Sequence, residues 1–139
     1  MLIARHREHV KRLAVTDGGR IIDWAGDGCF LIFETPSAAV LFALHLQQTH
    51  QRESDLPQVY AGINMGEVME REGPDGKDSP PPGGRLAVDT AARIQSLALP
   101  GQILMSNAVF NSARQRLSGS QFDAPICWEA HGAYLFKDF

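Results

Sequence analysis

Asp27 stands between two glycines, Gly26 and Gly28, and a lone carboxylate at so tight a bend is both a folding signal and a possible metal site. Asp89 and Arg93 stand four apart, acid before base, a spacing that on a helix makes a surface ion pair worth roughly 0.3–0.5 kcal/mol. His6 and His9 are three apart, but no cysteine or further histidine follows at ligand spacing, so they read as a solvated helix face. Cys29 and Cys127 are too few and too widely separated to suggest zinc, and they read as buried reduced thiols.

The elements that must position these groups follow from periodicity and punctuation. Leu2 to Leu13 carries apolar residues at Leu2, Ile3, Val10 and Leu13 among many charges, an amphipathic helix that stops by Asp17-Gly18-Gly19. From Gly19 to Phe33 apolar residues flank Ala25-Gly26-Asp27-Gly28 on both sides, which predicts a β-hairpin with its tip at Asp27. Thr35 as cap and Pro36 at the first helical position begin a helix through His50 that is apolar nearly all round and therefore buried. Gln58 to Met65 reads as a strand broken by Gly66, with Glu67 to Glu70 completing a hairpin or a bulged strand. The stretch from Glu72 to Gly84, rich in Gly, Pro, Asp and Ser, reads as an exposed loop.

Leu86 to Leu99 is helical by period, with Leu86, Thr90, Ile94 and Leu97 on one face, and Pro100-Gly101 ends it. A short strand, Gln102 to Met105, precedes a helix capped by Ser106 and running through Arg116. Phe122 to Trp128 and Gly132 to Phe136 read as a closing strand pair. The order suggests an α+β or α/β sandwich, helices packed against a mixed sheet, in a single domain spanning residues 1–139.

Composition bounds the function. The chain has 139 residues, 44% of them hydrophobic, enough for a real core in one globular domain. A net charge of −3 with scattered basic residues disfavours a nucleic-acid partner. The longest uncharged apolar run, Ala38 to Leu46, falls far short of the roughly 20 residues that span a bilayer. The N-terminus turns charged at once, unlike a signal peptide, so a soluble, cytoplasmic protein is expected.

Three stretches together carry a resemblance: Gly19 to Phe33, then Tyr60-Ala61-Gly62-Ile63-Asn64-Met65-Gly66-Glu67-Val68, then Val88 to Ser106 with Ala91-Ala92-Arg93 and Pro100-Gly101-Gln102-Ile103. In that order, over nearly the whole chain, they resemble the catalytic domain of class III adenylate and guanylate cyclases. The resemblance implies the nucleotide cyclase fold, a ferredoxin-like mixed or antiparallel sheet with helices packed on it. It also implies attack of a ribose 3′-hydroxyl on the α-phosphate of ATP or GTP, assisted by Mg2+ or Mn2+ between carboxylates and phosphate oxygens.

Residue by residue, Asp27 matches the second of the family's two metal-binding aspartates, and Arg93 the arginine that stabilises charge on the phosphoryl transition state. The first aspartate belongs to a strand preceding the first helix, a strand this sequence is expected to lack. Asp23 falls where adenylate cyclases commonly carry a base-reading lysine and guanylate cyclases a glutamate; an acid there either accepts from guanine N1 and N2 or is a solvated strand residue. Asp89 replaces the asparagine that usually orients the ribose, and an ionised carboxylate only accepts hydrogen bonds. Lys137 resembles the lysine of the family's closing Leu-Lys-Gly segment, with Asp138 in place of the glycine.

In this family the active site lies between two domains, so a homodimer is implied. The loop from Gly73 to Gly84 falls where family members contact the base or the dimer partner. Two classes of function remain: a nucleotidyl cyclase, or a cyclase-like module that binds a nucleotide or a partner and regulates by dimerising.

Overall fold

The computed structural model describes residues 2–26, 28–66, 71–72, 78–79, 85–117, 126, 128 and 129. Its elements run α1 (Leu2–Asp17), β1 (Arg20–Ala25), β2 (Gly28–Ile32), α2 (Pro36–Arg52), β3 (Ala61–Ile63), β4 (Arg71–Glu72), β5 (Asp78–Ser79), α3 (Arg85–Leu97), β6 (Ile103–Met105) and α4 (Asn107–Arg116). Among the described residues the strands form three pairs. β1 and β2 are antiparallel, β3 and β6 parallel, and β4 and β5 antiparallel. The result is the mixed α/β architecture that the alternation of elements implies.

Local chemistry explains the boundaries. Gly18 at φ +77° ends α1, and the Gly19 N–H bonds back to the Ala14 carbonyl at 2.7 Å. Thr35 caps α2, its hydroxyl accepting from the Ala38 N–H at 3.2 Å with Pro36 just inside the helix. Ser106 does the same for α4. Pro100 and Gly101, the latter at φ +88°, form a turn closed by the Gln102 N–H on the Leu99 carbonyl at 2.9 Å, which feeds the chain into β6.

The long apolar helix α2 is the pivot of the core. Phe42 and Leu46 pack with Val10, Leu13 and Ala14 of α1 and with the inner face of the hairpin, while Val40 packs with Val109 and Ala113 of α4. Val10, Val40 and Val109 are fully buried. α3 lies directly on β3, which only a glycine permits: a Cβ at Gly62 would come within 2.2 Å of the Gln95 backbone nitrogen and 2.5 Å of the Ala91 carbonyl.

Several expectations change. His6 and His9 do not form a solvated face: both are half-buried against His50, which is 4% exposed. The His50 Nδ1–H donates to the Pro57 carbonyl at 2.7 Å, which leaves its Nε2 to accept from His6 Nδ1 at 3.1 Å. His9 Nε2 donates to Glu53 at 2.8 Å and its Nδ1 accepts from Arg12 at 3.1 Å. These imidazoles bind α1 to the C-terminal end of α2.

The strand expected from Gln58 to Met65 is regular only over Ala61–Ile63; just beyond it the Asn64 side-chain amide donates to the Ala87 carbonyl of α3 at 3.3 Å. Within the stretch read as a loop, Asp78–Ser79 pairs with Arg71–Glu72. Leu97, expected on one face of α3 with Ile94, is 43% exposed at the last residue of the helix, whereas Ile94 is buried. The expected second half of the Gly66 hairpin and most of the closing strand pair lie outside the described residues.

Candidate functional site

The hairpin behaves as its sequence implies up to its tip. Ala25 pairs with Gly28, leaving a two-residue loop, and Gly26 adopts φ +63°, the left-handed conformation such a loop requires. Asp27, the candidate metal ligand, lies outside the described residues, as do Lys137 and Cys127.

One irregularity decides where Asp23 points. The pairing shifts between Ile21 and Asp23, so that Ile21 faces Leu31 while Asp23 faces Phe30. Strict alternation from the core-facing Ile21 would bury Asp23 beside it. The extra residue, Ile22, reverses the alternation, so Trp24 joins Ile21 on the core side and Asp23 emerges on the exposed side with Phe30. The Asp23 carboxylate accepts from the Trp24 backbone N–H at 2.9 Å through Oδ1.

Asp23 and Asp89 line one cleft of about 1700 Å³, together with Glu34. β2 and β3 wall it and α2 floors it, while α3 contributes Asp89. Asp89 is exposed; Arg93, one turn further along α3, is half-buried. Two of the site residues singled out in the sequence thus share a cavity.

Three carboxylates supply the hard oxygen donors that Mg2+ or Mn2+ prefers. Among the described residues, however, no three His, Cys, Asp or Glu side chains come together to hold an ion. These residues alone do not build a cation cage.

Cys29 also lines the cleft. Burial pushes its thiol from 9.0 up to about 11, so at neutral pH it is a protonated, poorly nucleophilic group.

Arg7 has a role that no sequence pattern signals. From α1 its guanidinium lies 4.9 Å over the Trp24 ring and donates to the Gly26 carbonyl at 2.7 Å, bracing the tip next to Asp27. Among many charges on an amphipathic helix, nothing marked this arginine as different. A guanidinium-to-aromatic stack across 17 residues leaves no local pattern.

A crystal structure of an adenylate/guanylate cyclase/hydrolase from Silicibacter pomeroyi is 34% identical, matching 81% of this chain and 66% of that one with a TM-score of 0.65. The chain belongs to the class III nucleotidyl cyclases. No family model matches it. An adenylate cyclase of Glutamicibacter nicotianae is 29% identical over 127 residues, 88% of this chain. A relative from Rhizobium meliloti is 31% identical over 115 residues. This cyclase-type domain spans 30% and 18% of those two proteins. Among its described residues no helix is long and apolar enough to cross a membrane.

Proposed function

We propose that this domain binds a nucleoside triphosphate, ATP or GTP, and as a homodimer in the cytoplasm converts it to cAMP or cGMP and pyrophosphate. The ribose 3′-oxygen forms the new bond to the α-phosphorus, the bond to the departing pyrophosphate breaks, and the hydroxyl proton leaves with solvent or a nearby base. Asp27 is the candidate ligand for Mg2+ or Mn2+. Arg93 is assigned to charge developing on the phosphoryl group, Asp23 to the base, Asp89 to the ribose and Lys137 to the substrate. The likeness to the Silicibacter structure over 81% of the chain carries this reading.

Arg93 supplies its test. A group that acts only on the transition state changes turnover rather than binding. Arg93→Ala is expected to lower turnover about 100-fold, the scale of losing one oxyanion donor, with the nucleotide dissociation constant changed less than about threefold. Unchanged turnover in a folded variant removes Arg93 from the chemistry.

A second reading has its own observation. Asp23, Glu34 and Asp89 line the cleft, and no lysine or arginine does so among the described residues. Such a cleft repels a triphosphate that arrives without a cation, which favours a non-catalytic module that regulates by dimerising.

A further inference from the structure

Imidazoles join the helix pair α1 and α2. Four of the chain's five histidines lie on these two helices, and each bonds a residue of the other helix or of its C-cap: His6 with His50, His9 with Glu53 and His45 with Asp17, at 3.1, 2.8 and 2.9 Å. Imidazole is the side chain that changes charge between pH 5 and 8, so the ambient proton concentration sets the charge along this seam.

The three contacts answer a proton differently. Glu53 and Asp17 are acids, and an imidazolium beside either gains an ion pair. The His6–His50 contact instead joins two bases. The Pro57 carbonyl, which only accepts, lies 2.7 Å from His50 Nδ1, so that nitrogen carries a proton and Nε2 is left to face His6. With no added proton, His6 Nδ1–H donates to His50 Nε2. With one, a hydrogen bond persists whichever ring is charged. A second sets N–H against N–H at 3.1 Å and two cations with ring centroids 5.1 Å apart, one of them on a residue 4% exposed.

The neighbours do not relieve that second charge. Gln47, Gln51, Leu56, Gln58 and Val59, beside His50, are uncharged, and the His9 ring lies 6.4 Å away. Arg5 is engaged by Asp55 and Glu53, and Arg12 by His9. On the cleft side the titratable groups are Asp23, Cys29, Glu34, Tyr60 and Asp89, and none of them is hydrogen-bonded to His50.

We propose that the His6–His50 pair is an acid-released latch. It holds the N-terminal half of α1 on α2 while the two rings share at most one added proton, and the second proton frees that half of the helix. Arg7 follows His6 in the chain, stacks on Trp24 and bonds the Gly26 carbonyl, so release also withdraws its brace from the hairpin. The released form binds two protons where the docked form binds one, so docking weakens as the pH falls.

Amide hydrogen exchange of the purified chain at pH 7.5 and pH 5, expressed as protection factors so that the pH dependence of chemical exchange cancels, tests this. Protection over His6–Val10 is expected to fall about tenfold relative to α4, the factor for one extra proton over roughly one pH unit, and protection in β1 falls with it. In His6→Asn the amide offers a donor or an acceptor and takes no proton, so the fall should shrink below about twofold. Nitrogen-15 spectra of the histidine rings give a second readout. At pH 7.5 His50 should carry its proton on Nδ1 and none on Nε2, and both rings of the pair should become fully protonated only where α1 has lost protection.

Unchanged protection of α1 at pH 5, or an equal fall in the asparagine variant, overturns the proposal. So does full protonation of both rings with α1 still protected, a result the parent chain gives whether or not the variant folds. Unchanged protection in β1 overturns the link through Arg7. Neither readout uses nucleotide or metal, so failure here leaves the cyclase reading untouched, and loss of turnover leaves the latch untouched.

Discussion

Arg7 contributes to the hairpin tip through two interactions of different kinds, a stack on Trp24 and a charged hydrogen bond to Gly26. Arg7→Ala is expected to cost about 1–2 kcal/mol in chemical denaturation and to speed exchange at the tip, since hydrogen bonds to charged groups and cation–π contacts are each worth about that or somewhat less. Cys29 makes a separate prediction. With its thiol pushed to about 11, the folded chain holds the proton more tightly than the unfolded one, whose value is near 9.0. The resulting stability is fully present below pH 9 and is lost as the pH rises through 11. In a Cys127→Ser background, alkylation at neutral pH should therefore be about 100-fold slower in the folded chain than in urea. A folded rate equal to the denatured one contradicts the burial. At this scale the sequence was only partly legible. It marked Asp23 as exposed or base-reading, but the bulge at Ile22 that turns it outward depends on pairing with β2, and the turn signal lay at the other end of the hairpin.

Close approach governs the elements. Gly62→Ala forces a methyl group into the Ala91 and Gln95 backbone of α3, which cannot yield as a side chain can, so a loss near the upper end of ~1–3 kcal/mol is expected in thermal or urea unfolding. Val109→Ala, at a fully buried position where α4 meets α2, should cost about 2 kcal/mol through lost burial and the void it leaves. The hairpin, the Thr35-Pro36 helix start and the Ser106 cap were legible because each is written in neighbouring residues. The extent of β3 was not, because it is set by pairing with β6, 42 positions along the chain. The three histidines joining α1 and α2 were hidden for the same reason: His6 and His50 are 44 positions apart.

At the scale of the whole molecule, the two halves of the core meet on α2, which packs the hairpin and α1 on one side and α4 on the other. The carboxylates on β1 and α3 are thereby brought to one cleft although 66 positions separate Asp23 from Asp89. A cation-dependent chemistry in so acidic a cleft should be sensitive to the choice and concentration of divalent ion. The direct measurement is incubation of the purified domain with Mn2+ and either ATP or GTP, with cyclic product identified by mass spectrometry and Asp27→Ala run in parallel. The account predicts a cyclic nucleotide from at least one substrate and its loss in the variant. A folded, dimeric protein that makes neither product, or a variant that makes as much as the parent, contradicts it.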